Sequence, residues 1–260
     1  MMNSTYHYIK GIEEKQFVKM VIDYSIKASQ QNRVLLTDFY NKEWMESLLS
    51  QYIPKRFDVQ YTFWGGYEDA ERQRLCISPY EIQEEDFEVG VLRIEVKIGI
   101  GKRLSHRDYL GALLGLGIER CIIGDIILKD WGAYVITEIA MLPYLRGQLG
   151  SIGRYQKLTI EEIKPNVLEI ERPKTKKIDV TVSALRADAV LAAMFGLSRS
   201  ECVKLIQGDK ARRNGLGITV STLLKEGDTI TLRGYGKARL VAVNGHTKKN
   251  RLHITLEKYV

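Results

Sequence analysis

One polar segment divides the chain into two parts of opposite charge. Residues 169–177 read Glu-Ile-Glu-Arg-Pro-Lys-Thr-Lys-Lys, a run with one proline and one apolar side chain. Residues 1–172 carry 22 basic and 25 acidic residues, whereas residues 173–260 carry 17 basic and 7 acidic ones. Polar segments that contain proline are typical of linkers between domains. The sequence therefore predicts a mildly acidic N-terminal part joined to a basic C-terminal domain, whose charge favours a polyanion as partner.

Composition and cysteine spacing exclude several classes of protein. Hydrophobic residues make up 45% of the chain and charged residues 27%, as in globular domains rather than disordered ones. The first residues lack the basic and apolar regions of a secretory signal, and the apolar run 110–118 is too short to cross a bilayer. Cys76, Cys121 and Cys202 form no CxxC pair. We expect a cytoplasmic protein without membrane contact, metal or cofactor.

The N-terminal part changes its hydrophobic period near residue 57. Apolar residues recur at helical spacing in residues 17–24 and 44–52, separated by a short run at 34–38, which predicts an α-rich segment over residues 1–56. Beyond it, strands and helices alternate, which predicts an α/β domain over residues 57–170 with helices packed on a mixed sheet. The expected strands are residues 57–63, 74–78, 91–97, 121–128, 133–137 and 157–163, and the expected helices are 105–116 and 138–148.

The basic domain begins with signals for two short helices. Ser183 is the expected cap of the first helix, and Gly196 is expected to end it. Ser198 and Glu201 have the spacing of a capping box, which predicts the start of the second helix. Gly208 is expected to supply a left-handed exit from that helix.

The exposed cations of this domain are the main chemical signal of the sequence. After the second helix, Asn214-Gly215 suits a tight turn with positive φ, and alternating segments predict a small twisted sheet. A helix N-terminus and neighbouring cations suit phosphate oxygens, and such a surface binds a phosphate backbone without reading its sequence. A solvated basic face with no partner is the alternative interpretation. The cations expected to form one surface are Arg199, Lys204, Lys210, Arg212 and Arg213.

Several short segments of the basic domain resemble, in order and spacing, the S-four RNA-binding domain. The resemblance covers about residues 178–233, with Ala187 where Leu is usual and Arg213 where Val is usual. The segments that carry it are Arg186-Ala187-Asp188-Ala189-Val190-Leu191, Ser198-Arg199-Ser200, Leu205-Ile206-Gln207-Gly208, Asn214-Gly215 and Glu226-Gly227-Asp228. Carried over by position, the resemblance implies RNA contacts at Arg186, Ser198, Arg199, Ser200, Lys204, Lys210, Arg212 and Asn214, and at Arg213 by proximity.

Nearly the whole chain is similar to the bacterial YlmH family. This resemblance implies an α+β protein with a short α-rich N-terminal part, a central ferredoxin-like domain similar to an RNA-recognition fold, and an S-four domain of the αL type over residues 178–260. The segments that carry it are Leu36-Thr37-Asp38-Phe39, Gly65-Gly66-Tyr67-Glu68-Asp69-Ala70-Glu71-Arg72, residues 106–118, Ile123-Gly124-Asp125-Ile126 and Leu232-Arg233-Gly234-Tyr235-Gly236.

The YlmH resemblance also implies a function. It implies a non-catalytic factor that binds rRNA and peptidyl-tRNA on the large ribosomal subunit and acts in ribosome-associated quality control of stalled nascent chains. A monomer that binds no DNA is expected. Two alternatives stay open: an RNA-modifying enzyme of the pseudouridine-synthase kind, because S-four domains often adjoin catalytic domains, and a cell-division-associated interaction protein.

Motifs for catalysis in the N-terminal part are incomplete. His106-Arg107-Asp108 lacks the Asn that a kinase catalytic loop needs five residues after its Asp, where Leu113 stands. Residues 99–102 lack the first glycine and the final hydroxyl of a phosphate-binding loop. A turn at residues 99–102 is the simpler interpretation. The cations near this turn form either a second RNA-facing edge or a solvated loop. That edge would consist of Lys102, Arg103, His106 and Arg107.

Overall fold

The protein is an α+β protein made of two compact units, which confirms the fold class. The computed structural model describes residue 9 and residues 11–54, 57–97, 103–171 and 174–259. Described residues up to Ile170 form the first unit, and those from Glu171 form the second. The change of unit falls inside the polar segment at residues 169–177.

The first unit begins with two helices against a small sheet. Three antiparallel strands have the order β1-β3-β2. The rings of Phe17 and Trp44 lie 4.8 Å apart, so the two helices and the strand between them share an aromatic cluster. Asn41 accepts a hydrogen bond from the backbone N–H of Trp44, so the chain passes directly from strand to helix. The elements are α1 (Ile12–Gln31), β1 (Leu35–Asn41), α2 (Lys42–Tyr52), β2 (Gln60–Trp64) and β3 (Arg72–Ser78).

The rest of the first unit is a four-stranded sheet with two helices on one face. The strands are antiparallel and have the order β5-β6-β4-β7. With the helices, they follow the β-α-β-β-α-β sequence of the ferredoxin-like motif. The elements are β4 (Val89–Val96), α3 (His106–Leu114), β5 (Ile123–Lys129), β6 (Gly132–Glu138), α4 (Leu142–Gln148) and β7 (Leu158–Ile163).

Packing covers a large part of both faces of the four-stranded sheet. Leu92 and Ile94 on β4 pack with Tyr109 of α3 and Leu145 of α4. The opposite face carries Val91, Tyr134 and Ile136, which pack with Phe39 and Cys76 of the three-stranded sheet. The two sheets therefore pack face to face, and they cover the centre of the surface on which an RNA-recognition fold stacks bases.

Strands β2 and β3, which the sequence grouped with the central domain, belong to the same sheet as β1, because β3 pairs with β1 on one side and with β2 on the other. Alternation identifies a strand but not its partner, and no change of sheet occurs between residue 57 and the start of β2 at Gln60. Buried Arg74 of β3 also ties the sheets together. Its guanidinium donates to the carbonyl oxygens of Thr37 at 2.8 Å and Phe87 at 3.0 Å, and it lies 3.6 Å from the carboxylate of Glu138.

The second unit is a six-stranded antiparallel sheet with two helices packed on one face. The strand order is β10-β9-β11-β12-β13-β8, so the first and the last strand of this unit are neighbours. Val190, Met194, Cys202 and Ile206 from the helices fill one core with the sheet. The elements are β8 (Thr175–Val182), α5 (Ala187–Phe195), α6 (Arg199–Gln207), β9 (Ala211–Arg213), β10 (Leu216–Gly217), β11 (Thr229–Leu232), β12 (Gly236–His246) and β13 (Leu252–Tyr259).

Two local predictions for the second unit are wrong, namely the cap of α5 and the residue that ends α6. Strand β8 begins at Thr175, within the polar segment 169–177 and three residues before residue 178, where the S-four resemblance begins. Ser183 does not cap α5, which begins at Ala187, because hydrogen bonds to residues 222–224 hold residues 185–187 extended. Gly208 has a φ of −82°, and Asp209 at 51° supplies the left-handed exit. Gly196 does end α5 in the left-handed region, at a φ of 70°.

Gly132, at the start of β6, provides a test of the packing between β6 and β4. A Cβ atom at this position would lie 1.9 Å from the carbonyl oxygen of Ile94 on the facing strand. Gly132→Ala should therefore lower the free energy of unfolding of the first unit by at least about 2 kcal/mol, because backbone would have to move. Urea unfolding followed by tryptophan fluorescence measures this unit alone, since Trp44, Trp64 and Trp131 all belong to it.

Gly147→Ala is the matched control. Gly147 lies in α4 with no atom within 4 Å of the added Cβ, so the substitution should leave stability unchanged or raise it by up to about 1 kcal/mol. Equal unfolding midpoints for the two variants would contradict the close approach of β6 to β4.

Candidate nucleic-acid interface

Ser198 caps the start of α6, as the sequence predicts, but the second half of the predicted capping box is replaced by a contact of Glu201 with Tyr235. The hydroxyl oxygen of Ser198 accepts a hydrogen bond from the backbone N–H of Glu201 at 3.2 Å. The carboxylate of Glu201 accepts a hydrogen bond from the hydroxyl of Tyr235 at 3.2 Å. Ser198, Arg199 and Ser200 are all exposed, so the positive end of the α6 dipole faces solvent.

A buried carboxylate in the first turn of α5 holds two arginines. Asp188 is 5% exposed, and it accepts hydrogen bonds from Nε of Arg186 at 3.1 Å and from a terminal nitrogen of Arg199 at 2.7 Å. Burial raises the pKa of Asp188, but the hydrogen bonds from Arg199 and Arg186 outweigh it, so the net pKa lies below its usual value. We call Arg186 and Arg199 the arginine pair.

The arginine pair is fixed on its inner side and open on its outer side. The side chains of Arg186 and Arg199 are 45% and 53% exposed, so each guanidinium keeps donors that face solvent. Two positive charges share the one negative charge of Asp188, which leaves the cluster with a net charge of +1. Charge-assisted hydrogen bonds to a buried group also restrict the rotamers of both arginines, which reduces the entropy lost when a ligand binds.

Arg213 and Arg186 of the arginine pair both contact Leu223. The guanidinium of Arg213 donates to the carbonyl oxygen of Leu223 at 3.0 Å and lies 3.8 Å from the carboxylate of Asp228. Leu223 forms a backbone bridge with Arg186, and its side chain is 61% exposed. The backbone of Leu223 therefore connects two of the cations, Arg186 and Arg213.

Asn214-Gly215 forms the tight turn that the sequence predicts. The φ angles of the two residues are 49° and 76°, and the turn joins β9 to β10. The amide nitrogen of Asn214 donates to Asp228 at 2.8 Å, and its amide oxygen accepts from the backbone N–H of Thr229 at 2.8 Å. The side chain of Asn214 thus fixes the turn to β11, and its predicted RNA contact stays a prediction.

The structure separates Arg212 from the arginine pair. Ala211 is buried against the helices, and side chains alternate along a strand, so Arg212 points to the opposite face of the sheet. There it forms an ion pair with Asp209 at 3.1 Å. Lys204 on α6 and Lys210 before β9 are exposed, and neither has an ion-pair partner within the described part of the chain. The expected cations therefore lie on more than one surface, and their RNA contacts stay a prediction.

The predicted second edge in the first unit carries little free charge. Lys102 lies outside the described residues. Arg103 is paired with Asp130 at 2.8 Å. Partial burial and the neighbouring Arg120 lower the pKa of His106, which disfavours the charged imidazolium. Arg107 is exposed and lines an open groove of about 630 Å³ between α3 and the segment after α4.

Within residues 11–54, 57–97, 103–171 and 174–259, no group of three or more His, Cys, Asp or Glu residues has a geometry that could hold a metal ion. Among the helices of the same ranges, none combines the length and apolar character needed to cross a membrane. Cys76 and Cys202 are buried free thiols, and Cys121 is partly exposed.

Sequence reasoning missed the groups that organise the candidate site. Asp188 appears in the Arg-Ala-Asp segment of the sequence, but no spacing rule shows that one carboxylate serves both Arg186 and Arg199. Leu223, which accepts a hydrogen bond from Arg213, comes from a loop without a periodic pattern. Asp228 appears in the Glu226-Gly227-Asp228 segment of the resemblance, but its ion pair with Arg213 has no sequence signal. The Arg-x-Asp spacing is the one signal that could have found Asp188.

Comparisons with known proteins identify the family of the chain. Residues 13–82 match the family model described as "YlmH, N-terminal", and residues 82–166 match the one described as "Putative RNA-binding domain in YlmH". The chain is also 29% identical over 260 residues to "Ribosome-associated protein quality control protein P2" of Bacillus subtilis (strain 168), with 99% of each chain covered. The chain belongs to the YlmH family. The two matches of this YlmH-family protein meet at residue 82, between the three-stranded and the four-stranded sheet.

One solved structure was also compared with the YlmH-family chain. It is described as "Cell division protein ylmH from Streptococcus pneumoniae". The alignment covers 60% of this chain and 93% of the other, with 24% sequence identity and a TM-score of 0.49.

Asp188→Asn tests whether the carboxylate holds the arginine pair. The variant should lower the free energy of unfolding of the second unit by about 2 kcal/mol at pH 7, because charge-assisted hydrogen bonds are lost. The pKa of Asp188 is lower in the folded state than its unfolded value of about 3.9, so this stability is present above that value and disappears as pH falls through the folded pKa. The difference between wild type and variant should therefore shrink below about pH 4.

Urea titrations that follow the NMR signals of α5 and α6 report on this unit. Asp209→Asn is the control, since Asp209 also pairs with an arginine but is 72% exposed, and it should change stability by less than about 0.5 kcal/mol. A D188N effect as small as that of D209N would show that Asp188 does not organise the site.

Proposed function

We propose that this protein is a non-catalytic RNA-binding factor that binds rRNA and peptidyl-tRNA on the large ribosomal subunit, in ribosome-associated quality control of stalled nascent chains. The observation that carries the proposal is the arginine pair, held by buried Asp188 beside the exposed start of α6. The name of the Bacillus subtilis relative, which is similar over 99% of its length, supports the setting.

The geometry of the arginine pair suits phosphate oxygens. A guanidinium presents a planar fork of donors that matches phosphate, and the free backbone N–H groups at the start of α6 add partial positive charge. The surrounding unit supplies attraction over a longer range, since residues 173–260 contain ten more basic than acidic residues. Contacts of this kind hold an RNA backbone in a fixed place but do not read base sequence.

The first unit is proposed to position the protein rather than to perform chemistry. The centre of its four-stranded sheet is not open for stacking bases, because Val91 and Ile136 are covered by the three-stranded sheet. Partly buried Asp125 supports the fold, since it accepts hydrogen bonds from the hydroxyl of Tyr67 and from the backbone of Glu71 and Arg72. We propose that the protein acts as a monomer in the cytoplasm.

Removal of the arginine pair tests the proposal. The variant R186A/D188N/R199A deletes both guanidinium groups without leaving a buried carboxylate unpaired. Its affinity for deproteinised large-subunit rRNA should fall by about ten- to fifty-fold at 0.1 M salt, because two phosphate contacts are lost. The slope of log affinity against log salt concentration should fall by about 1.4 to 1.8 units. Fluorescence anisotropy and co-sedimentation with large ribosomal subunits measure these changes.

Two further variants separate phosphate recognition from general charge. R186K/R199K keeps both charges but loses the planar fork, so it should weaken binding and keep most of the salt dependence. K15A/K19A removes two exposed charges from α1 in the first unit and should bind as wild type does. The proposal is wrong if the arginine variant and K15A/K19A bind rRNA equally well, or if wild-type affinity does not change with salt.

A further inference from the structure

The long hairpin at the end of the chain is the most one-sided charged segment of the protein. No acidic residue occurs between Asp228 and Glu257, a stretch of 28 residues that contains six lysines and arginines. Strands β12 and β13 form most of this stretch, and they lie beyond residue 233, where the S-four resemblance ends. The arginine pair does not account for this concentration of charge.

The turn that joins β12 to β13 has a fixed backbone. The N–H of Thr247 donates to the carbonyl of Arg251 at 2.7 Å, and the N–H of Asn250 donates to the carbonyl of Thr247 at 2.9 Å. Asn250 adopts the left-handed region with a φ of 55°, as in three-residue hairpin loops. Lys248 and Lys249 occupy the two corner positions and are exposed. We call residues 247–251 the hairpin turn.

The hairpin turn lies at the same end of the sheet as the arginine pair. A guanidinium nitrogen of Arg251 donates to the carbonyl of Thr181 on β8 at 2.8 Å, and Leu252 pairs with Val182 on the same strand. The chain reaches Arg186 only four residues after Val182, and four extended residues span at most about 14 Å. An RNA backbone in contact with the arginine pair therefore needs only a few more nucleotides to reach Lys248 and Lys249.

Two carboxylates that contact the strands of the hairpin accept hydrogen bonds from groups other than the corner lysines. Asp179 on β8 accepts a hydrogen bond from the hydroxyl of Thr255 at 2.6 Å, and Glu226 accepts one from the backbone N–H of Val243. Among the residues that the structure describes, none forms an ion pair with Lys248 or Lys249. Their charges are thus available to a partner.

We propose that the hairpin turn is a second phosphate-contact point for the RNA that binds the arginine pair. This inference rests on the proposed function. An RNA backbone fits better than an acidic protein, because protein interfaces have an apolar or aromatic centre, whereas nucleic-acid interfaces are polar and positive. The hairpin turn contains no apolar residue, and Leu252 beside it is only partly exposed. Two backbone hydrogen bonds already hold the hairpin turn in one conformation, so little conformational entropy is lost when the RNA binds.

Replacement of the two corner lysines tests the inference in the full chain. For K248A/K249A, affinity for deproteinised large-subunit rRNA should fall by about ten- to fifty-fold at 0.1 M salt, and the log–log salt slope should fall by about 1.4 to 1.8 units. K15A/K19A is the matched control, because it removes the same number of charges from the other unit and should leave both values unchanged. Circular dichroism should be identical for both variants.

The outcomes distinguish the hairpin from the arginine pair. If R186A/D188N/R199A weakens binding and K248A/K249A does not, the hairpin turn makes no RNA contact and only this inference fails. If wild-type protein shows no affinity for rRNA, both proposals fail. If the corner lysines are needed for ribosome association that survives nuclease treatment, while rRNA affinity is unchanged, their partner is an acidic protein and the inference is overturned.

Discussion

The face-to-face packing of two sheets is the constraint on which the organisation of this protein depends. Val91 and Ile136 of the four-stranded sheet are fully buried under Phe39 and Cys76 of the three-stranded sheet, while Leu92 and Ile94 are buried under the helices. The face of this sheet that lies opposite the helices is packed against a second sheet over much of its area. The excess of positive charge lies in the second unit, whose helices and hairpin carry it.

Helices, caps and turns could be predicted from the sequence where residues close together in the chain determine them. Helical spacing located α1 and α2, Ser198 capped α6, and Asn214-Gly215 formed the turn between β9 and β10. Prediction failed where distant residues controlled the backbone. The extended segment before α5 depends on hydrogen bonds to a loop more than thirty residues away in the chain, and the partner of β3 depends on which sheet can bury both of its faces.

The candidate site was predictable in its residue types but not in its arrangement. Clustered cations and the resemblance to the S-four domain pointed to residues 178–260 as the part of the chain in which to look for a basic surface. Strand β9 has only three residues, too few to show an alternating pattern, so the sequence did not reveal that Arg212 and Arg213 point to opposite faces. The cations of the hairpin turn were equally visible in the sequence, but their nearness to Arg186 depends on the pairing of β13 with β8.

The single carboxylate shared by Arg186 and Arg199 has a consequence for how this surface can change over time. Each arginine offsets the cost of burying Asp188, so the loss of one alters what the other must do. Substitutions at the three positions are therefore coupled, and their effects should not add. A protein that lost one of these residues in evolution would gain from changes at the other two. We therefore expect Arg186, Asp188 and Arg199 to be kept together or replaced together.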